Sequence, residues 1–419
     1  MALELTQDER AVLDGARGDA AALAMRVVVA AGELLGAPRL VPVTSAHVDG
    51  CLYHGDGGVE FAERLVAGGG RVAVPTTLNV GALDLLHPGR VRADAHRGAM
   101  ARRQMDAYLA LGCTPTWTCA PYQAGHRPGL GEQVAWGESN AIAFANSVLG
   151  ARTERYGDFL DACCALTGRA PLHGLHLEEN RRATVVVDAG AVPSALKERD
   201  VFYPVLGTWL GLEVGRDVAA IVGLPRSVSE DRLKALGAAA ASTGAVALFH
   251  VVGVTPEAPT LEAATGGRSP DRTVRLDASG VRAALARLST TTAEHVDAVA
   301  VGSPHLSVME LRTLAALVRG RRMQVPFYAC TGRDMLAEVE ATGEARILAE
   351  AGVEVVADTC VVVTPILPGE GGVLMTSSGK FAHYGPSNTG YDVVYGSLEE
   401  CVASAEGGRV VRDPAVWAW

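Results

Sequence analysis

Several common cofactor and nucleophile motifs are missing from this chain. No Gly-x-Gly-x-x-Gly follows a strand-like run, no Gly-x-x-x-x-Gly-Lys-[Ser/Thr] occurs, and no Gly-x-Ser-x-Gly is present. A dinucleotide cradle, a P-loop and a hydrolase nucleophile elbow are therefore excluded as local motifs. There is no Cys-x-x-Cys, which removes a zinc ribbon and a thioredoxin-like site. An uninterrupted apolar run of about 18 residues, long enough to span a membrane, is also absent. The first ten residues, MALELTQDER, are acidic and polar, unlike the basic-then-apolar start of a secretory signal.

Aromatic side chains supply only 5% of the chain, and lysine occurs three times, as Lys197, Lys234 and Lys380. The formal net charge of −10 argues against nucleic acid or an anionic membrane as the principal partner. Eight cysteines scattered over 419 residues are too few for a disulfide framework. They read as reduced thiols, so the expected address is the cytoplasm.

What is present is a chain that is 48% hydrophobic, with 48 glycines, so its core is built from Ala, Val and Leu between tight turns. The length suits two or three domains or one large α/β body. Short β-branched runs alternate with helical stretches, the signature of a mainly parallel sheet. Thr6-Gln7-Asp8-Glu9 reads as a capping box and Asp19 as the cap of an Ala-rich helix. Strands are expected over 71–74, 116–118, 218–222, 245–252, 296–301, 325–330 and 353–357, and helices over 97–111, 136–155 and 335–351. The segment 259–277 reads as a surface connection or a domain boundary. Polar, Pro-bearing and Cys-bearing loops fall repeatedly at strand ends, where ligands gather in open α/β sheets.

Cys119 and Cys360 each follow a predicted strand. A thiolate there suits zinc, copper or an iron–sulfur centre, and the competing assignment is a small buried apolar side chain. The other six cysteines, Cys330 among them, lack ligand spacing and read as core. Glu138, Ser139 and Asn140 gather at a helix start, where they either favour an anion or act as ordinary caps. Arg152 and Arg155 either clamp a carboxylate or phosphate or are solvated. Lys380, in the Gly-hinged run 377–384, is either a contact for a substrate anion or a turn lysine. His47, His173, His176, His250 and His305 lie near strand ends, open to acid, base or structural roles.

The His47 loop, Val74-Pro75-Thr76-Thr77-Leu78-Asn79, Thr118-Cys119-Ala120-Pro121-Tyr122 and the run 136–155 together resemble the aconitase X family. So do His173-Gly174-Leu175-His176 with Asn180-Arg181, the run 250–257, Gly302-Ser303-Pro304-His305, Asp358-Thr359-Cys360 and Ser378-Gly379-Lys380-Phe381-Ala382-His383-Tyr384. The resemblance spans almost the whole chain. It implies an aconitase-like multi-domain α/β body, with mainly parallel sheets flanked by helices, over residues 1–419. It also implies a small swivelling domain, fused in some members and a separate subunit in others. The sequence ends soon after Tyr395, so the expectation is a large subunit with a separate small partner.

By the same resemblance, the activity is dehydration of a small anionic hydroxy acid, of the cis-3-hydroxy-L-proline or mevalonate 5-phosphate type. The implied cofactor is an iron–sulfur cluster or a mononuclear iron held by Cys119, Cys360 and the residue at Ser303. Thr77, Asn79, Ser139, Asn140, Arg155 and Lys380 are the implied substrate contacts. The general base is unassigned, or lies on the partner chain. Such residues fit the reaction: expelling hydroxide needs a Lewis acid, a base must take the proton next to the carboxylate, and donors must hold the enolate-like charge. One departure matters. The family loop reads Gly-Cys-Pro-His, whereas Ser303 stands here, and a serine hydroxyl is a much poorer iron ligand than a thiolate. The expectation is a centre that is altered, mononuclear or lost. Loss would leave a metal-free lyase or isomerase, or a non-catalytic binding subunit.

Overall fold

Runs of small and β-branched residues form the strands, and all pairings between named strands but one are parallel. The computed structural model describes residues 3–418. They divide into two units, one formed by the chain up to Leu83 with Ala93–Arg181, the other by Asp84–Arg92 with the chain from Arg182 onwards. The expected α/β fold with mainly parallel sheets flanked by helices is the fold that forms.

The first unit contains β1 (Leu40–Pro42), β2 (Ala46–Val48), β3 (Thr76–Leu78), β4 (Ala135–Trp136) and β5 (Arg169–Pro171). β2 is the middle strand of a parallel sheet ordered β3-β2-β4, while β1 and β5 form an antiparallel ribbon. The capping box forms as read, with Thr6 and Glu9 each bonding the other's backbone N–H. Asp19 does not cap its helix. Gly18, at φ 88, takes the N-cap position without a side-chain bond, and Asp19 begins the helix Asp19–Leu34.

Two expected strands are absent. At 71–74, Val72 N–H bonds Leu111 and Ala73 N–H bonds Ala165, so strand pairing begins only past Pro75, which has no N–H to offer. At 116–118, Trp117 adopts φ 43 and breaks the extended course. The helix expected over 136–155 spans only Ser139–Phe144, then passes into a π-turn, Ala145–Leu149, closed by Gly150 at φ 72. Asn146 holds the reversed chain, donating to the Thr153 carbonyl at 3.0 Å and accepting its N–H at 3.1 Å. Arg155 is thereby carried off the helix.

The second unit has two parallel sheets. β6 (Val185–Asp188), β7 (Ala219–Val222), β8 (Phe249–Val251) and β9 (Arg272–Arg275) are ordered β8-β7-β6-β9. Residues 259–277 therefore contribute a structural edge: they contain the helix Leu261–Thr265 and β9, which pairs with β6 along its length. The units divide at Leu83/Asp84, Arg92/Ala93 and Arg181/Arg182. The helices Phe202–Val214 and Glu230–Gly244 approach closely, and a Cβ added at Gly244 would lie 1.8 Å from the Gly211 carbonyl oxygen.

β10 (Ala298–Leu306), β11 (Phe327–Thr331), β12 (Val353–Val356), β13 (Gly372–Thr376) and β14 (Tyr391–Tyr395) form the other sheet, ordered β12-β11-β10-β13-β14. Strand alternation sorts its core. Val299, Val301, Phe327 and Ala329 pack on one face with Leu311 and Leu314, whereas Ala298, Ala300, Tyr328 and Cys330 pack on the other with Cys360 and Leu374. The helix expected over 335–351 is two helices, Arg333–Thr342 and Glu344–Ala351, split at Gly343 with φ 93. The run 377–384 is not a hinged loop. Ser378 caps the helix Gly379–Thr389, which puts Lys380 in its first turn. Among the described residues, no helix is long and apolar enough to cross a membrane.

Candidate active site

Strand register builds the first cluster. β2 carries His47 directly between Thr77 of β3 and Trp136 of β4. The Thr77 hydroxyl lies 2.9 Å from His47 Nδ1 and 2.7 Å from His126 Nδ1. His126 follows the turn Pro121–Ala124 and sets its ring 4.9 Å from that of Trp136, centroid to centroid. Burial, with repulsion from His126, holds His47 well below the usual imidazole range, and burial lowers His126 to about 4. Both rings are thus neutral near pH 7. A single hydroxyl proton lets Thr77 donate to one Nδ1 and accept from the other, so the two rings carry opposite tautomers. One Nε2 is a donor and the other an acceptor. Among the described residues, neither Nε2 has a protein hydrogen-bond partner.

Two residues further along the same strands, a group of carboxylates begins. Asn79 donates its amide to Asp49, and Asp161 accepts the Asp49 N–H at 2.6 Å. Burial, followed by the charge of Glu138, raises Asp49 to about 7, and burial raises Asp161 to about 6. Glu138 is buried in a left-handed conformation, φ 64, and its carboxylate accepts from the Asn140 N–H at 3.3 Å and the Ser139 hydroxyl at 3.4 Å. Asn140 Nδ2 in turn donates to the carbonyl of Cys119 at 2.7 Å. Thr77, Asn79, Ser139, Asn140 and Cys119 are therefore gathered in one neighbourhood of the first unit. Arg155 lies past the π-turn, with its N–H bonded to Glu154 at 2.7 Å. His176 is occupied structurally, by Gln133 at 2.6 Å and by Tyr156.

The second unit gathers the other expected residues. Gly302-Ser303-Pro304-His305 is not a loop after a strand but part of β10, where the register slips between Val301 and Leu306. Gly302 has φ 94, and a Cβ there would lie 2.2 Å from the Cys330 carbonyl oxygen. The Ser303 carbonyl accepts from the Ser378 hydroxyl. His305 is fully buried, with Nε2 3.1 Å from the Thr359 carbonyl oxygen. Burial lowers its pKa to about 4, so Nε2 carries the proton and donates. Lys234 reaches the His305 carbonyl at 3.3 Å while paired with Asp231 at 2.9 Å and with Glu310.

Cys360 follows Asp358, whose carboxylate is held by Arg333 at 2.5 and 2.8 Å. Its sulfur is hydrogen-bonded by the Cys330 thiol and by the Ser303 hydroxyl. The Cys330 bond foremost, opposed by burial and aided by the charge of Lys380, holds the Cys360 thiol below its ordinary pKa. Ser303, Cys360 and Lys380 thus stand together, and Cys330 joins them. Asp49, Asp161, His126 and Cys330 were not singled out from sequence. Only the i, i+2 step from His47 to Asp49 could have flagged one of them.

Two sulfurs and a hydroxyl are a donor set that suits iron, since thiolates are soft ligands and a lowered thiol pKa is what metal binding requires. Among the described residues, no group of three or more His, Cys, Asp or Glu side chains is arranged to hold a metal ion. Cys119 belongs to the first unit and Cys360 to the second.

Three domain families match in succession: aconitase X first domain over residues 2–179, second domain over 183–286 and third domain over 296–407. The chain is 44% identical to a cis-3-hydroxy-L-proline dehydratase of Pseudomonas aeruginosa, over 98% of this chain and 71% of that protein. It is 40% identical to the phosphomevalonate dehydratase large subunit of Methanothermobacter thermautotrophicus, over 93% of this chain and 96% of that protein. A crystal structure of Thermococcus kodakaraensis aconitase X in its holo-form aligns with a TM-score of 0.86 at 35% identity, covering 96% of this chain and 100% of that one. Fold and relatives together define an enzyme of the hydro-lyase class, the class to which dehydratases belong. The chain belongs to the aconitase X family.

Proposed function

We propose that this chain is the large subunit of a dehydratase that removes water from a small hydroxy imino acid of the cis-3-hydroxy-L-proline type. The carrying observation is the Thr77-linked pair of His47 and His126, whose Nε2 atoms have no protein partner among the described residues. Elimination of water needs a proton taken from the carbon next to the carboxylate and a proton delivered to the leaving hydroxyl. One Nε2 that accepts and one that donates supply both operations. Thr77 carries the proton between the Nδ1 atoms when the tautomers exchange.

Charge beside the pair favours an imino acid over a phosphorylated substrate. Asp49 already feels the negative charge of Glu138 and Asp161. A secondary ammonium relieves that repulsion, whereas a phosphate dianion adds to it. The 44% identity to a named cis-3-hydroxy-L-proline dehydratase supports the same choice. Asn79, Ser139 and Asn140 offer amide and hydroxyl groups to the substrate carboxylate, with Arg155 as a cationic contact.

Iron would be held by Cys360 and Ser303, and when bound would supply the Lewis acid for the departing hydroxide. A separate small subunit is the proposed partner, as the name of the large-subunit relative suggests. Eight buried cysteines, none in a disulfide among the described residues, suit a reducing cytoplasmic setting.

The test is to co-express the chain with its small subunit and follow loss of one water by mass spectrometry. Turnover of cis-3-hydroxy-L-proline, abolished by His126→Phe, is the expected result. Turnover of mevalonate 5-phosphate alone would sink the imino-acid assignment. Turnover of neither would sink the dehydratase reading.

A further inference from the structure

Cys330 has no motif around it, and a buried cysteine on a central strand is ordinarily core filling. Three observations within the second unit set it apart. First, alternation along β11 turns Phe327 and Ala329 to one face of the sheet and Tyr328 and Cys330 to the other, and it is on this second face that Cys360 packs. Second, the Cys330 thiol hydrogen-bonds the Cys360 sulfur, which also takes a hydrogen bond from the Ser303 hydroxyl. Third, Gly302 presses its backbone onto that of Cys330, a Cβ at 302 being only 2.2 Å from the Cys330 carbonyl oxygen. The approach sets the following residue, Ser303, beside the two sulfurs. Two thiols and one hydroxyl therefore converge, all of them buried.

From this arrangement we infer that Cys330 is a sulfur ligand of the iron centre in this chain, supplying with Cys360 the thiolate that Ser303 does not. The inference rests on the iron reading above. Each thiol gives up its proton to solvent as it binds, and no oxidant or reductant is involved. A hydroxyl at 303 is a weak ligand, so a sulfur from the neighbouring strand keeps the site soft enough for iron. The donor set then becomes two thiolates and one weak oxygen within this unit.

The experiment uses the full chain, stripped of metal and titrated anaerobically with cobalt(II) alone and, separately, with ferrous iron. Thiolate-to-cobalt charge-transfer absorption reports the number of sulfur donors, and metal analysis after desalting reports retention. Cys330→Ser and Cys330→Ala are expected to weaken the charge-transfer band and to lower iron retention by about 10-fold or more, the scale of a lost metal contact. Ser303→Cys is expected to strengthen the band, and Cys401→Ser, in the cluster on the opposite face, to leave it unchanged. Thermal unfolding of each metal-free variant separates loss of a ligand from loss of fold. A Cys330→Ser chain that folds and keeps the full band and iron content overturns the inference while sparing the iron centre. A wild-type chain that binds neither metal overturns the iron reading, and this inference with it.

Discussion

His305 Nε2 lies 3.1 Å from the carbonyl oxygen of Thr359, the residue that precedes Cys360. Through this bond the buried end of β10 holds the loop that presents the thiol. His305→Leu keeps much of the buried volume but leaves the Thr359 carbonyl without its donor, at a cost of about 1–3 kcal/mol. His305→Gln, which retains an N–H, should recover part of that loss. Urea unfolding measures the difference, and equal stabilities for the two variants would count against the bond.

Thr77→Val keeps a β-branched residue on β3 and removes the hydroxyl shared by His47 and His126. Dehydratase activity is expected to fall by at least about 10-fold, the low end of what positioned acid–base groups contribute. Thr77→Ser should restore most of it. Steady-state kinetics with circular dichroism as a fold control decide the matter, and a fully active Val variant would remove the pair from the reaction.

Asp49 gives a pH signature with a definite sign. Its carboxyl titrates at about 7 in the folded chain against an ordinary 3.8. Between those values the folded state binds more protons than the unfolded state, so this group's contribution to stability falls as pH rises through the window. Asp49→Asn cancels the fall. Relative to wild type, the variant should gain stability on going from pH 4 to pH 8, by on the order of 1–3 kcal/mol. Melting temperatures across that range test this, and a pH-independent difference would contradict it.

Lys234 is 3% exposed and sits between Asp231 and Glu310, whose side chains are about 30% exposed, while touching the His305 carbonyl. Lys234→Met leaves two carboxylates facing each other with no cation. Because both keep some solvent, the expected loss is about 3 kcal/mol, the low end for breaking a buried pair. Chemical denaturation checks it, and replacing Glu310 by Gln in the same chain should recover part of the loss.

The sequence by itself determined the layered α/β class, because alternation of β-branched runs with helical stretches is a local property. It also determined the Thr6 capping box, whose partners are three residues apart. Polar runs beside apolar ones marked the segments around Ser139, Asn140, Cys360 and Lys380, whereas Thr77, Asn79 and Ser303 entered as site residues through the family resemblance. Helix ends were less legible. Gly150 and Gly343 stop their helices through left-handed backbone, and the side-chain bonds that fix the chain beyond Gly150 come from Asn146 to Thr153.

Only the tertiary structure decided which of these groups meet. His126 reaches Thr77 across 49 residues and Asp161 reaches Asp49 across 112, separations over which no periodicity carries information. Cys330 looked like core filling because a cysteine's role depends on what lies across from it, and that is set by the register of neighbouring strands. Burial, a property of the folded chain alone, then kept the two imidazoles of the proposed acid–base pair neutral and raised the Asp49 carboxyl.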